Sequence, residues 1–325
     1  MKKKFLAGVL SLSLLFGSTT FAAPAWKLPA SGKTFSTNDA KQTYVADYMG
    51  KFFRGQIQTK FAVPDGWSHK KFSVNGVPVE QLTNSKQKSG RVVLQLHGGG
   101  YIDGLGDLHR DFAVKQMVLS DAREGYMLDY RLAPENLYPA ALDDAVVVYK
   151  ELLTRGVDPK NLIVFGDSAG GNLALELSLR LKEKNLPQPA MLILLSPWTT
   201  LETDLPSRAG NSERDLILGV TNPQMYNEVC NPTYGGKISL SDPRLSPIHA
   251  DLTGLPPILI QVGGHEMFVD EGIELLKKSA ADELDVTLTV YRGMSHDFAL
   301  LLPELDDSIK SFAEIKNFVN LHLAR

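Results

Sequence analysis

Ser168 stands in Gly166-Asp167-Ser168-Ala169-Gly170-Gly171, directly after the apolar run Leu162-Ile163-Val164-Phe165. A strand that breaks into Gly-x-Ser-x-Gly and then into a helix puts its serine on a sharp, strained turn, with the hydroxyl clear of the sheet. Side chains two residues before and two after that serine would collide, so both positions call for glycine. The helix expected over about residues 169–184 aims its first amides at the space above the serine, where a developing negative charge is stabilised. Taken alone, the motif also suits a plain Gly-rich turn between a strand and a helix.

A serine hydroxyl is a weak nucleophile until a base takes its proton, so a histidine is required. The chain has seven: His69, His97, His109, His249, His265, His296 and His322. His296 falls in a loop after the last apolar run, with Gly293 allowing the turn; its other reading is a surface loop histidine. His322 falls in the expected terminal helix and is poorly placed. The base in turn needs a carboxylate to fix its tautomer and stabilise the imidazolium. Two candidates follow the apolar run Ile258–Val262: Glu266 in Gly263-Gly264-His265-Glu266, and Asp270, whose alternative role is to cap the next helix. An oxyanion would be met by backbone N–H groups, one from Ala169 and others from the run His97-Gly98-Gly99-Gly100. A phosphate-binding reading of that glycine run lacks the Gly-Lys-Ser/Thr that should follow it. His97 and Asp167 read as structural.

Other chemistries find little support. No His-Glu-x-x-His and no paired cysteines occur, so no metal is expected. Asp143-Asp144 reads as the turn and first helix after Tyr138-Pro139 rather than as an acid pair. Cys230 is the single cysteine, so no intrachain disulfide forms; it reads as a half-buried residue. With 43% hydrophobic and 22% charged residues over 325 positions, the composition is that of a globular protein with length for a large core. A net charge of −3 and no basic block beyond the N-terminus argue against nucleic-acid or anionic-membrane partners.

The elements that must position these residues are legible from Arg91 onward. Apolar runs at Val92–Leu96, Gly125–Asp129, Leu162–Phe165, Met191–Leu195, Ile258–Val262 and Val286–Tyr291 alternate with helical patterns near 140–155, 168–184, 270–283 and 307–323. Such alternation predicts a mostly parallel sheet with helices on both faces. Asn75-Gly76 marks a hairpin between 72 and 79. Residues 199–250 carry no strand pattern, and an interval that long is commonly a lid or cap. With the helix expected over Thr43–Phe53, they are assigned to a cap formed by about 40–56 and 199–250. Lys2-Lys3-Lys4, the apolar stretch Phe5–Phe16 and the small residues that follow read as a signal peptide over 1–22. Cleavage is expected after Ala22, with Ala25 as the alternative, and the mature domain spans 23–325. The apolar stretch is shorter than the roughly 20 residues of a membrane span.

The set His97-Gly98-Gly99-Gly100-Tyr101, Asp129-Tyr130-Arg131-Leu132-Ala133-Pro134-Glu135, Tyr138 to Asp144 and Gly166 to Gly171 resembles the hormone-sensitive-lipase family of bacterial esterases. Ser196-Pro197-Trp198, Leu255-Pro256-Pro257 and Met294-Ser295-His296-Asp297-Phe298 continue the likeness over roughly residues 90–300. The resemblance implies an α/β-hydrolase fold and a serine hydrolase of carboxylic esters, with short or medium acyl chains or small aryl esters as substrates. It implies Ser168, His296 and an acid at Glu266 as catalytic residues, and Gly98, Gly99 and Ala169 as the oxyanion hole. The family usually places Asp in Gly-x-Asp-Pro-Leu-x-Asp where Glu266 stands; this chain has glutamate and lacks the proline, so Asp270 stays in play. Tyr101, Trp198 and Phe298 are expected as pocket walls. No cofactor is expected. The expected partner is a small-molecule ester, with no nucleic acid and no stable membrane anchor, and a homodimer is left open. A lactone or amide hydrolase on the same site is the alternative within catalysis; a non-catalytic small-molecule binder is the alternative outside it.

Overall fold

The computed structural model describes residues 24–323. The expected signal segment 1–22 lies outside the described residues. Among the described residues, no helix is long and apolar enough to cross a membrane.

Among the described residues, eight strands form one sheet: β1 (Trp67–Val74), β2 (Val77–Asn84), β3 (Val92–Leu96), β4 (Glu124–Leu128), β5 (Leu162–Asp167), β6 (Met191–Leu195), β7 (Ile258–Gly263) and β8 (Val286–Tyr291), ordered β1-β2-β4-β3-β5-β6-β7-β8. The β1–β2 and β2–β4 pairs are antiparallel and the others parallel. Asn75 and Gly76, with φ of 49° and 93°, make the expected tight hairpin between β1 and β2. The helices are α1 (Asn38–Phe53), α2 (Asp107–Leu119), α3 (Ala140–Thr154), α4 (Ala169–Glu183), α5 (Pro206–Gly210), α6 (Pro223–Cys230), α7 (Val269–Ala281), α8 (Phe298–Leu301) and α9 (Asp306–His322).

The period of two along the strands decides which helices they meet. Val92, Leu94 and Leu96 of β3, Leu162 and Val164 of β5, and Ile258, Ile260 and Val262 of β7 join one apolar cluster with Ala141, Leu173, Leu177 and Leu275 of α3, α4 and α7. Their alternates Val93, Ile163, Phe165 and Leu259 join a second cluster with Phe112, Met117, Phe312 and Ile315 of α2 and α9. Burying each such side chain contributes about 1.5–3 kcal/mol, so a sheet apolar on both faces must be covered on both. The fold is an α/β-hydrolase, mostly parallel and covered by helices on either side, as expected.

Two features aim this scaffold at one place. The chain runs from β3 through α2 to β4 on one side, then through α3 to β5 on the other side of β3. The connections thus diverge at the β3/β5 boundary, and the crevice at the strands' carboxyl ends there is where open α/β sheets bind ligands. The interval 199–250 forms no strand and holds the short helices α5 and α6 and a single 3₁₀ turn at Pro247–His249. Cys230 ends α6 and is half-buried.

Candidate active site

β5 ends at Asp167 and α4 begins at Ala169, leaving Ser168 alone on the turn at φ 53°, ψ −121°. Positive φ in a non-glycine residue costs on the order of 1–3 kcal/mol and persists only where the surroundings enforce it. Here they do. Ser168 N–H donates to Leu195 O at 2.9 Å, and Ser168 O accepts from Gly171 N at 3.0 Å and Trp198 N at 3.0 Å. A Cβ on Gly166 would run into the Gly170 carbonyl, and one on Gly170 into the carbonyls of Leu96 and His97. The glycines on either side of the serine are therefore steric requirements, as the sequence implied.

Three further loops reach the same crevice. The β3 loop brings His97 to Gly100, the β7 loop brings Glu266, and the β8 loop brings His296. Glu266 is fully buried, and its Oε2 accepts from Ser196 Oγ at 2.7 Å and Gly263 N at 2.9 Å. The same Oε2 lies 4.0 Å from His296 Nδ1. On the far side of the ring, His296 Nε2 lies 3.2 Å from Asp297 Oδ2. Neither ring nitrogen completes a hydrogen bond among the described residues. Phe268 meets the imidazole edge-on, with ring centroids 5.1 Å apart. Burial, the largest influence on His296, opposes its charged form; the facing carboxylates Asp297, Glu266 and Asp215 prevail and raise its pKa to about 9. Burial also pushes Glu266 above the usual carboxylate range, while His296 and the Ser196 and Gly263 hydrogen bonds pull it back toward the charged form.

Asp270 is placed elsewhere. It sits in the first turn of α7, where its carboxylate accepts from Ser207 N at 2.8 Å and its own N–H donates to Ser207 Oγ at 3.2 Å. It ties α5 to α7, and its carboxylate forms no hydrogen bond or ion pair with His296. Of the two candidate acids, the structure brings Glu266 to the histidine.

The oxyanion loop differs from expectation at one position. Gly98 N–H donates to the buried Asp167 Oδ2 at 2.9 Å, so it is not an open donor. Gly98 instead lets the loop lie on the elbow, since a Cβ there would meet Asp167 Oδ2 and, at 3.1 Å, Ser168 Cβ. The Gly99 amide, at φ 108°, makes no such bond, and Ala169, the first residue of α4, has no intrahelical acceptor for its own. His97 is structural as expected. Its Nδ1 lies 2.7 Å from Gly98 O and its ring stacks on Tyr130 at 4.1 Å, while burial lowers its pKa to about 4. Because Asp167 acts through the loop, Asp167→Ala is expected to lower kcat by roughly 10- to 100-fold with KM little changed, somewhat less than removing an oxyanion donor outright. Steady-state kinetics on a short-chain ester checks this; an unchanged kcat would show that the loop holds without its anchor.

A cavity of about 200 Å³ opens beside Ser168 and His296. Its apolar walls are Phe52 and Phe53 of α1, Leu108 of α2, Ile217, Leu218 and Met225 from the 199–250 interval, and Leu300 and Leu301 of α8. The three aromatic walls expected from sequence are not among them. Tyr101 is fully buried, stacked on Tyr234 at 3.7 Å, and bonds Asn172 Oδ1 at 2.7 Å. Trp198 is fully buried against Phe268, and Phe298 packs on Tyr291. All three belong to the core. A larger depression, about 860 Å³ and lined by Gln87, Arg91, Lys160 and His322 among others, lies at the strands' amino ends, away from these groups.

Sequence reasoning missed several site residues. Ser196, at φ 45° after β6, holds Glu266 through its hydroxyl and accepts the Asp297 N–H at 3.0 Å. Asn211 Nδ2 donates to Glu266 O at 2.9 Å, and buried Asp215 accepts from Met267 N at 2.8 Å, so the 199–250 interval clasps the acid loop. The Ser-Pro-Trp motif pointed at Ser196; nothing in local spacing pointed at Asn211 or Asp215. Asp144 takes a two-nitrogen grip from Arg131, at 3.0 and 2.8 Å, inside α3, which agrees with its structural reading. Among the described residues, no group of three or more His, Cys, Asp or Glu is arranged to hold a metal.

Residues 93–300 match a family model described as the alpha/beta hydrolase fold. The chain is 35% identical over 252 residues to the provisionally named acetyl-hydrolase LipR of Mycobacterium tuberculosis, covering 76% of this chain and 79% of that protein. It is 32% identical over 249 residues to an esterase of Acinetobacter venetianus, covering 76% and 80%. Among solved structures, it is similar to an esterase from the bacterial hormone-sensitive lipase family, with a TM-score of 0.75, 31% identity, and 90% and 94% of the two chains covered.

Proposed function

The chain belongs to the alpha/beta hydrolase fold family, among the hormone-sensitive-lipase-like esterases, and from that premise we propose how this carboxylic ester hydrolase works and on what. Ser168 Oγ attacks the ester carbonyl while His296 Nε2 takes its proton. The tetrahedral oxygen is met by the N–H groups of Gly99 and Ala169, in a loop that Asp167 holds through Gly98. His296 then protonates the departing alcohol, and water cleaves the acyl-Ser168 by the same route. Glu266 faces Nδ1 and favours the imidazolium; its 4.0 Å approach is the kind of loose contact that shortens when substrate binds.

The observation that carries this reading is convergence. Loops after β3, β5, β7 and β8 deliver an open amide, a strained serine, a carboxylate and a histidine to one crevice. The substrate class follows from the walls. A pocket of about 200 Å³ lined by leucine, isoleucine, methionine and phenylalanine is small for a ligand site, which favours short or medium acyl groups and small aryl alcohols. The acetyl-hydrolase name of the LipR relative supports a small acyl group. α1 and the 199–250 interval act as a cap over this pocket. Export of the mature chain is part of the reading, supported by the N-terminal signal pattern.

A fluorophosphonate probe with mass-spectrometric mapping tests the site, and a p-nitrophenyl ester series from acetate to palmitate tests the pocket. The expected result is labelling at Ser168 and a kcat/KM that peaks at short or medium chains and falls at palmitate. Folded protein that is neither labelled nor active would favour the binding-protein alternative.

A further inference from the structure

His296 Nε2 has two claimants. Its task in turnover is to accept the proton of Ser168, yet the carboxylate of Asp297 sits 3.2 Å away. Asp297 holds that place through its backbone. It takes a left-handed conformation, φ 50° and ψ 31°, and its N–H donates to Ser196 Oγ, the same hydroxyl that donates to Glu266 Oε2. One hydroxyl therefore holds the Glu266 carboxylate on one edge of the imidazole and the backbone of Asp297 on the other. A helix-capping role would be the ordinary reading, since Asp297 is the residue before α8. Its side chain makes no capping hydrogen bond, however, and Oδ1 is buried without a partner among the described residues. Its Oδ2 faces the ring instead, 3.2 Å from Nε2.

We propose that Asp297 is a positioning residue that pairs with His296 Nε2 in the resting enzyme, competes there with Ser168, and sets the acid edge of turnover. This rests on His296 being the base. With the pair intact, the imidazolium is favoured and the base must give up a proton before it can serve Ser168. The titratable groups facing the ring come from every side. Glu266 comes from the β7 loop, Asp215 from the 199–250 interval, Asp167 from the end of β5 and Asp297 from its own loop, while Asp103 and His109 border the cavity. Among the described residues, no lysine or arginine lines it. Asp297 is the one that acts on Nε2 at contact distance, and it is the largest of the influences raising His296.

The test compares wild type with Asp297→Asn, an isosteric change that the left-handed region tolerates. Loss of an opposite charge at this distance should lower the histidine's pKa by about one unit or more. The acid limb of the kcat/KM profile should move down accordingly, with relative activity about fivefold higher, or more, one pH unit below the wild-type limb. The His296 ring titration, followed by 15N NMR and assigned with His296→Gln, should move down in parallel. If both acid limb and ring titration stay where wild type has them, with Ser168 still labelled by the probe, the proposal is overturned. If the ring titration moves but neither protein turns over esters, the pairing stands and the assignment of His296 as base fails instead. Should the asparagine variant not fold, Asp297→Gly suits the same φ and carries the same reading.

Discussion

Ser168→Ala is expected to lower kcat by roughly 10⁵- to 10⁶-fold while leaving the protein folded, because the nucleophile of a serine triad carries about as much of the rate as the whole triad. Stability should not fall with it. The bonds that enforce the elbow belong to the Ser168 backbone, to Leu195 O, Gly171 N and Trp198 N, and alanine keeps all three. What alanine does not relieve is the strain at φ 53°. Ser168→Gly does, so it should be as inactive as the alanine variant and melt higher, with relief of about 1 kcal/mol corresponding to a rise of roughly 2 °C. Turnover and thermal melting measured on both variants check this. Residual esterase activity near wild type in either would remove Ser168 from its role. A glycine variant melting below alanine would mean that the turn is not strained as the backbone angles indicate.

The parts of this site legible in the sequence share a cause. The elbow, the glycine run and the order of the strands are local or periodic facts. Leu162–Phe165 is apolar because both its faces are buried, and Gly166 and Gly170 are glycines because a backbone carbonyl occupies the space of each Cβ. The pocket walls were misjudged because direction, unlike spacing, is tertiary. Tyr101 follows the glycine run, but a φ of 63° turns it into the core, where Asn172 and Tyr234 receive it. α2 escaped notice for a related reason. Its start is Gly106, with His109 three residues on, and its buried face includes Lys115 and Gln116, so neither cap nor stripe advertised a helix. The real walls, Phe52, Ile217, Leu218 and Met225, come from segments far apart in the chain that meet only once the sheet has formed.

The choice between the two acids is decided by a second comparison. Glu266→Gln should cost roughly 10³-fold or more in kcat, whereas Asp270→Asn should stay within about twofold. Glutamine at 266 keeps the shape, and its oxygen still accepts from Ser196 Oγ and Gly263 N. What it loses is the negative charge facing Nδ1 as the imidazolium forms, in a buried site where that charge is not replaced by water. Asparagine at 270 still accepts the Ser207 N–H, and its half-buried place at the start of α7 costs about 1 kcal/mol of favourable helix-terminus charge at most. The two variants also differ in kind: the first should fall in kcat with an unchanged melting point or a higher one, since a fully buried carboxylate has been neutralised, and the second should fall only in melting point. The reverse ranking of activities would assign the acid to Asp270, and would require the β7–α7 loop to rearrange, because no hydrogen bond or ion pair now joins that residue to His296.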